Sequence, residues 1–160
     1  MINFHHQQSH ARAEERNNLW EKCRLGKVEE VRKALEEGAD PNTTDGDREI
    51  TCLMVALEKN QSEVVDLLIS CPAIEVNAKD PINRTALHFA CWKGNVAMLS
   101  KLLAVPGLLL NERMDRGRTP IMAAIKFGRP DAVRLMAAVS EVDLDVKDND
   151  GNNLEQYAAR

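Results

Sequence analysis

The stretch Thr85-Ala-Leu-His-Phe-Ala-Cys-Trp-Lys-Gly94 contains the start and the end signal of one short helix. A threonine hydroxyl at a helix N-terminus accepts a hydrogen bond from the backbone, so we expect Thr85 at the N-cap. Gly94 is expected at the other end, because glycine readily adopts the left-handed conformation that ends many helices. Apolar residues at helical spacing follow from Val96 to Leu103 and predict a second helix.

The same plan recurs along the chain with a period of 34 residues. A unit of this size cannot bury its own apolar face, so several units must stack to form one folding unit. Residues that stand 34 positions apart form columns when the repeats are aligned. Four such columns are Thr51, Thr85 and Thr119; Leu53, Leu87 and Ile121; Ala56, Ala90, Ala124 and Ala158; and Gly26, Asn60, Gly94 and Gly128.

The repeated unit resembles the ankyrin repeat, whose hallmark is T-P-L-H-x-A in a unit of about 33 residues. Residues 85–90 match this stretch except for the proline, and residues 119–124 keep the proline but replace the histidine. Residues 38–42 read G-A-D-P-N, which is similar to the end of such a repeat. The resemblance implies an all-α ankyrin-repeat solenoid of stacked helix-turn-helix units with β-hairpin-like loop tips.

We divide the chain into a polar N-terminal arm and one ankyrin repeat domain. The final unit is either a half-repeat that caps the stack or a cut from something longer. The predicted segments are the arm at 1–17 and the domain at 18–160, with repeats at 18–44, 45–79, 80–113 and 114–147 and a partial repeat at 148–160.

Composition excludes several classes of protein. The net charge of −4 does not suit a uniformly basic nucleic-acid binder, and no run approaches the roughly 20 apolar residues of a membrane span. The four cysteines have no C-x-x-C spacing, so neither a redox motif nor a zinc site is indicated. We therefore expect free thiols in a monomer of the cytoplasm, the nucleus or both, with no membrane contact.

The candidates for chemistry all have a simpler structural explanation. His88 lies one helical turn from Cys91, but no third group orients the histidine as a nucleophile–base pair requires. His6 and His10 are four residues apart without a convergent third metal ligand. Asp148 lies in an acidic segment that lacks the glycine and the glutamate of a calcium loop at the required offsets, and we expect it in a solvated tip. We predict no catalytic residue, no metal and no cofactor.

The resemblance implies that the loop tips and the exposed ends of the first helices line a shared concave groove. Counting from the period gives 21 outward positions, among them Arg24, Ile50 and Arg160, and nine of the 21 are Arg or Lys and four are Asp or Glu. Their net charge of +5 predicts a basic groove on an acidic protein. The predicted partner-binding residues are Arg48, Lys59, Arg84, Trp92, Lys93, Arg116, Arg118, Lys126 and Phe127.

These residues predict a non-enzymatic interaction module that binds a protein or peptide with an acidic stretch, as an adaptor or a substrate-recognition scaffold. The alternative is an inhibitor that sequesters a transcription factor or a kinase, and nucleic-acid contact ranks behind both. Trp92 and Phe127 are either partner anchors or packed against their own neighbours. Residues 108–110, a leucine triplet, are either a partner-facing patch or packing under a connector. The resemblance also makes Asn77 and Asn111 candidates for hydroxylation.

Overall fold

The computed structural model describes residues 18–160, and these residues contain nine α-helices and one short 3-10 helix. The helices are α1 (Leu19–Leu25), α2 (Val28–Glu36), α3 (Cys52–Glu58), α4 (Ser62–Ile69), α5 (Ala86–Lys93), α6 (Val96–Leu103), α7 (Pro120–Lys126), α8 (Pro130–Ala137) and α9 (Leu154–Ala158), with the 3-10 helix at Asp115–Gly117.

Successive helices pack in pairs, and the pairs stack in chain order. Helices α1, α3, α5, α7 and α9 pack side by side in one layer, and α2, α4, α6 and α8 form a second layer beside it. Each helix of the first three pairs contacts its own pair partner and the equivalent helix of the next pair, as in a repeat stack. The predicted all-α solenoid is confirmed.

The turn between the paired helices depends on one left-handed residue in each repeat. Gly26, Asn60, Gly94 and Gly128 have φ angles of 69°, 57°, 72° and 63°. A positive φ costs little for glycine and is tolerated by asparagine, so the sequence column predicts the turn column. This prediction for Gly94 is confirmed.

Threonine caps start two of the first-layer helices, α3 and α5. The Thr51 hydroxyl accepts a hydrogen bond from the Met54 backbone N–H at 3.2 Å. Thr85 forms a reciprocal cap with His88, three residues into α5. The residues that follow, 52–57 in α3 and 86–91 in α5, are all buried, because these helices are covered by neighbours on several sides.

The loop tips have hairpin geometry but contain only isolated bridges. Antiparallel bridges join Thr44 to Thr51 and Met114 to Arg118, and no strand is present in residues 18–160. Each of these two tips therefore reverses the chain with a single rung.

A continuous apolar core extends along the length of the stack and is not a single central cluster. Its N-terminal end is covered by Leu19, Trp20 and Cys23, which are buried in α1. A smaller cluster of Met122, Val146 and Tyr157 closes the other end.

The four helix pairs α1–α2, α3–α4, α5–α6 and α7–α8 lie within the segments 18–44, 45–79, 80–113 and 114–147, and α9 lies within 148–160. The N-terminal arm, with His6 and His10, lies outside the described residues.

Candidate functional site

His88 has a structural role that uses both ring nitrogens. Its Nδ1 accepts a hydrogen bond from the Thr85 backbone N–H at 3.1 Å, and Nε2 lies 3.2 Å from the Arg118 carbonyl oxygen, to which it donates. Burial lowers the pKa of His88 to about 4 and raises the pKa of the Cys91 thiol. The neutral imidazole thus joins α5 to the next tip, and the buried thiol is not prepared to act as a nucleophile.

Most predicted groove cations of the first three repeats are neutralised by an acid close to them in the chain. An arginine or lysine in an ion pair has less free charge to offer a ligand. The pairs are Arg24 with Glu21, Arg48 with Asp45, Lys59 with Glu58 and Arg84 with Asp80.

The Arg84–Asp80 ion pair is part of the hydrogen bonding that holds the tip of the third repeat together. The Asp80 side chain is only 1% exposed, and it accepts the Arg84 Nε–H at 2.6 Å and the Arg84 backbone N–H at 2.7 Å. The guanidinium also lies over the Phe89 ring, 4.8 Å from its centroid. Arg84 is therefore part of the tip and not a free partner-binding cation.

The fourth repeat has the same arginine without the acid. Arg118 stands 34 residues after Arg84, but the position equivalent to Asp80 is Met114. The Arg118 Nε makes only a long contact of 3.4 Å to the Asp115 carbonyl oxygen. Arg118 in the tip of the fourth repeat therefore lacks the acidic partner that Arg84 has in the third repeat.

Four cations surround one open cavity at the C-terminal end of this surface. Within residues 18–160, none of the four forms an ion pair, whereas ten other Lys and Arg side chains do. We call this site the C-terminal cavity; its volume is about 530 Å³ and its charged lining residues are Arg116, Arg118, Lys126, Arg160, Asp148 and Asp150.

The electrostatics of the C-terminal cavity reflect crowding of like charges. Partial burial, followed by the charges of Arg118, Arg116 and Arg160, lowers the pKa of Lys126. Removal of water and nearby positive charge both disfavour the ammonium form. An anion placed in the cavity would relieve this repulsion.

Asp148 does not serve as the missing counter-ion. Its carboxylate accepts hydrogen bonds from the Tyr157 hydroxyl at 2.8 Å and from the Asn152 side chain at 2.9 and 3.0 Å. Burial opposes ionisation, but these bonds and two backbone N–H groups outweigh it and lower the pKa of Asp148 to about 2. Burial, followed by the bond to Asp148, raises the pKa of Tyr157 to about 12. Our expectation of a solvated Asp148 is wrong, because α9 packs over this carboxylate.

Three aromatic rings form a row beside the cavity. Trp92 lies between Phe89, at 5.9 Å between ring centroids, and Phe127, at 5.3 Å. Trp92 is half-buried against the core, whereas the Phe127 side chain is 45% exposed. Lys126 lies 5.9 Å from the Phe127 centroid and joins the aromatic row to the cavity. The rings thus pack on each other, as one of the two alternatives predicts, and the exposure of Phe127 leaves the other alternative, a partner anchor, open.

Other predicted positions divide between the core and the surface. Ile50, counted among the outward positions, is only 4% exposed because the tip folds back over it. In the leucine triplet, Leu108 and Leu110 pack on the core and Leu109 is 48% exposed. Lys93 keeps a half-buried position without an ion pair within residues 18–160.

Arg160 and Tyr157 line the C-terminal cavity and were not among the predicted binding residues. Arg160 was among the outward positions, but its place on the cavity wall depends on α9 folding back onto α7. The sequence signal for an unpaired arginine at this cavity is that Met114 stands 34 residues after Asp80, where the third repeat has its acid. That replacement has a meaning only when the tip is known to bring positions 80 and 84 together.

Comparison with known proteins agrees with this architecture. A family described as ankyrin repeats (3 copies) matches residues 19–113, and one described as ankyrin repeat matches residues 116–149. The chain belongs to the ankyrin repeat family. Ankyrin repeats bind other proteins and are in general a non-enzymatic interaction fold, so the chain is a protein–protein interaction module.

Its similar proteins are longer and differ in role. The probable 26S proteasome regulatory subunit p28 of Saccharomyces cerevisiae is 29% identical over 140 residues, which are 85% of this chain and 60% of that protein. The ankyrin repeat-containing protein C6C3.08 of Schizosaccharomyces pombe is 33% identical, over 65% of this chain and 46% of its own length. The human SMC5-SMC6 complex localization factor protein 1 is 36% identical, over 54% of this chain and 8% of its own length. The chain thus spans less than two thirds of each relative.

None of the helices in residues 18–160 is long and apolar enough to cross a bilayer. The same residues contain no cluster of three or more His, Cys, Asp or Glu side chains arranged to hold a metal ion. All four cysteines are free thiols in this structure.

Proposed function

We propose that this ankyrin repeat domain binds an acidic, partly apolar segment of another protein and acts as an adaptor or a substrate-recognition scaffold. The observation that carries the proposal is the position of unpaired cations around the C-terminal cavity, directly beside an accessible aromatic ring. Complementary charge gives speed and specificity of association, and a buried aromatic anchor gives much of the affinity.

Phe127 is the better candidate for the anchor. Its side chain is 45% exposed, so a partner can remove a large apolar area from water there. Trp92 supports the ring from below at 5.3 Å and limits its movement. The set of proposed binding cations narrows accordingly to Lys93, Arg116, Arg118 and Lys126, since Arg48, Lys59 and Arg84 are already paired.

The similar proteins support a role within a larger assembly. One is named as a regulatory subunit of the proteasome, and another as a localization factor for a protein complex. Both descriptions suit a module whose binding surface brings one protein to another. We propose the same for this chain, as a monomer acting in the cytoplasm, the nucleus or both.

The ion pairs of the first three repeats help to distinguish peptide binding from nucleic-acid binding. A nucleic-acid backbone is best bound by a long row of free cations, because it carries a charge at every nucleotide. Here the free cations are concentrated at one end, which favours a short acidic segment. An inhibitor that sequesters a kinase or a transcription factor would use the same surface, and the partner's identity separates it from an adaptor.

A binding measurement with synthetic peptides tests the proposal. We expect a peptide with a run of Glu residues beside one Phe to bind more tightly than its counterpart with Gln, measured by fluorescence anisotropy. Replacing Phe127 by Ala or Lys126 by Glu should weaken binding about tenfold each, as expected of interface hot spots.

The matched control is Lys147→Glu, because Lys147 is an exposed lysine outside this surface. That variant should bind the peptide like the unmodified protein. Equal loss in the control, or preferred binding of an oligonucleotide with a steep salt dependence and no effect of Phe127→Ala, would contradict the proposal.

A further inference from the structure

The net positive charge of the C-terminal cavity favours an anionic ligand. Four cations and two carboxylates line it, which leaves a net charge of +2. The cations come from separate parts of the chain: Arg116 and Arg118 from the fourth tip, Lys126 from the end of α7, and Arg160 from the end of the described chain. Such convergence concentrates the field at one point.

The two carboxylates leave this positive charge available. The hydrogen bonds accepted by Asp148 come from Tyr157, Asn152 and the backbone of Asp150 and Asn152, and none comes from the four cations. Arg160 donates to the Asn152 side-chain oxygen at 2.8 Å and stays near the cavity without an acidic partner among residues 18–160.

A single carboxylate supplies too little charge for this site. A phosphoryl group on a side chain carries about −1.5 to −2 at neutral pH and offers three acceptor oxygens. Arginine guanidinium groups match phosphate oxygens with paired N–H donors, and lysine adds a point charge. Three guanidinium groups and one ammonium therefore suit a dianion with several oxygens.

We propose that the C-terminal cavity binds the phosphoryl group of a phosphorylated side chain in the partner segment, with the neighbouring residues of that segment lying on Phe127. This inference rests on the proposed function, because it names the chemistry of one group in the bound segment. Phosphorylation of the partner would strengthen binding at this site, so the partner's kinase would regulate the association.

The first experiment uses N-acetyl-phosphoserine methylamide as the probe, with the N-acetyl-glutamate and N-acetyl-serine methylamides for comparison. Binding is followed by NMR of the lysine side chains and the arginine Nε–H groups. We expect the phosphoserine compound to shift the Lys126, Arg116 and Arg118 signals and to raise the pKa of Lys126, since the anion offsets the neighbouring charges.

Two variants test the location of the site. Lys126→Gln should weaken phosphoserine binding about tenfold, whereas the exposed Lys147→Gln should leave it unchanged. Met114→Asp keeps all four cations but supplies Arg118 with the carboxylate that Arg84 has in Asp80, so it should weaken binding to a similar extent. Circular dichroism confirms that each variant is folded.

Each other outcome overturns the inference. Equal binding of the glutamate and phosphoserine compounds would make this a carboxylate site, and binding of inorganic phosphate alone would make it a site for the free anion. Failure of the phosphoserine compound to bind also overturns it. The peptides that test the proposed function contain no phosphate, so the proposed function can stand when this inference fails.

Discussion

At the scale of the residue, His88 shows how a side chain suited to catalysis becomes a structural connector. Its two nitrogens are used by Thr85 in the same repeat and by the Arg118 carbonyl of the next. The ring is 2% exposed, so protonation would place a charge where water cannot solvate it. The imidazole must therefore stay neutral for the two repeats to remain joined.

This predicts an acid-sensitive stability. The pKa of His88 is about 4 in the folded chain against 6.5 for the free side chain, so between these values the unfolded chain binds more protons. The free energy of unfolding should fall as the pH falls from 6.5 towards 4, measured by urea denaturation at several pH values. His88→Gln should be less stable at neutral pH and should have a flatter profile. Parallel profiles for the two proteins would contradict this origin.

At the scale of the element, the loops that follow the second helices are joined by an asparagine ladder. Asn77 donates to the Gly107 carbonyl at 2.8 Å and accepts from the Leu109 backbone N–H at 2.9 Å. Asn111 makes the same two contacts with Glu141 and Asp143 of the next loop. Each amide side chain replaces the backbone pairing that a sheet would provide, so the connectors keep their register without strands.

Removal of one rung should loosen one loop and leave the helices in place. Asn77→Ala should reduce the free energy of unfolding by about 1 kcal/mol, since two partly exposed hydrogen bonds are lost. Amide hydrogen exchange at Leu109 should become faster. Glu75→Ala is the matched control, because this exposed side chain makes no hydrogen bond among residues 18–160. An equal effect in the control would show that the ladder contributes nothing.

At the scale of the whole molecule, stability is distributed along a stack in which each unit touches only its neighbours. Helix α5 packs against α3 on one side and α7 on the other, whereas the main helix contact of α9 is with α7. A central repeat therefore contributes two interfaces and the terminal helix only one. Unfolding should begin at α9, which is also the helix that brings Arg160 to the C-terminal cavity.

A pair of variants tests this gradient. Leu87→Ala, at a fully buried position of α5, should cost about 2–5 kcal/mol and destabilise the whole stack. Tyr157→Phe removes only the bond to Asp148 and should cost about 1 kcal/mol. Hydrogen exchange should show faster opening confined to α9 and its tip in the second variant. Opening that spreads across α1–α4 in Tyr157→Phe would contradict the nearest-neighbour view.

The periodic columns account for the part of the fold that was predictable. A left-handed turn at Gly94, a cap at Thr85 and an apolar helix face are local features, so a sequence that repeats them repeats the same unit of structure. Stacking then follows, because each unit leaves an apolar face that only a similar unit covers. The structure around Asp148 was harder to predict, since the burial of this carboxylate depends on where α9 packs.

The amino-acid order alone thus determined the repeat and the helix pairs, because these depend on local interactions that recur at a fixed period. It also gave the surface on which the proposed binding residues lie, through the resemblance to the ankyrin repeat. Which cations on that surface are free was decided only by the tertiary structure. Arg84 and Arg118 occupy the same column, yet one is held by Asp80 at 2.6 Å and the other stands at an open cavity. The reason is physical: electrostatic availability depends on distances of a few ångströms across a folded tip and between repeats, and a count of charges along the chain does not contain those distances.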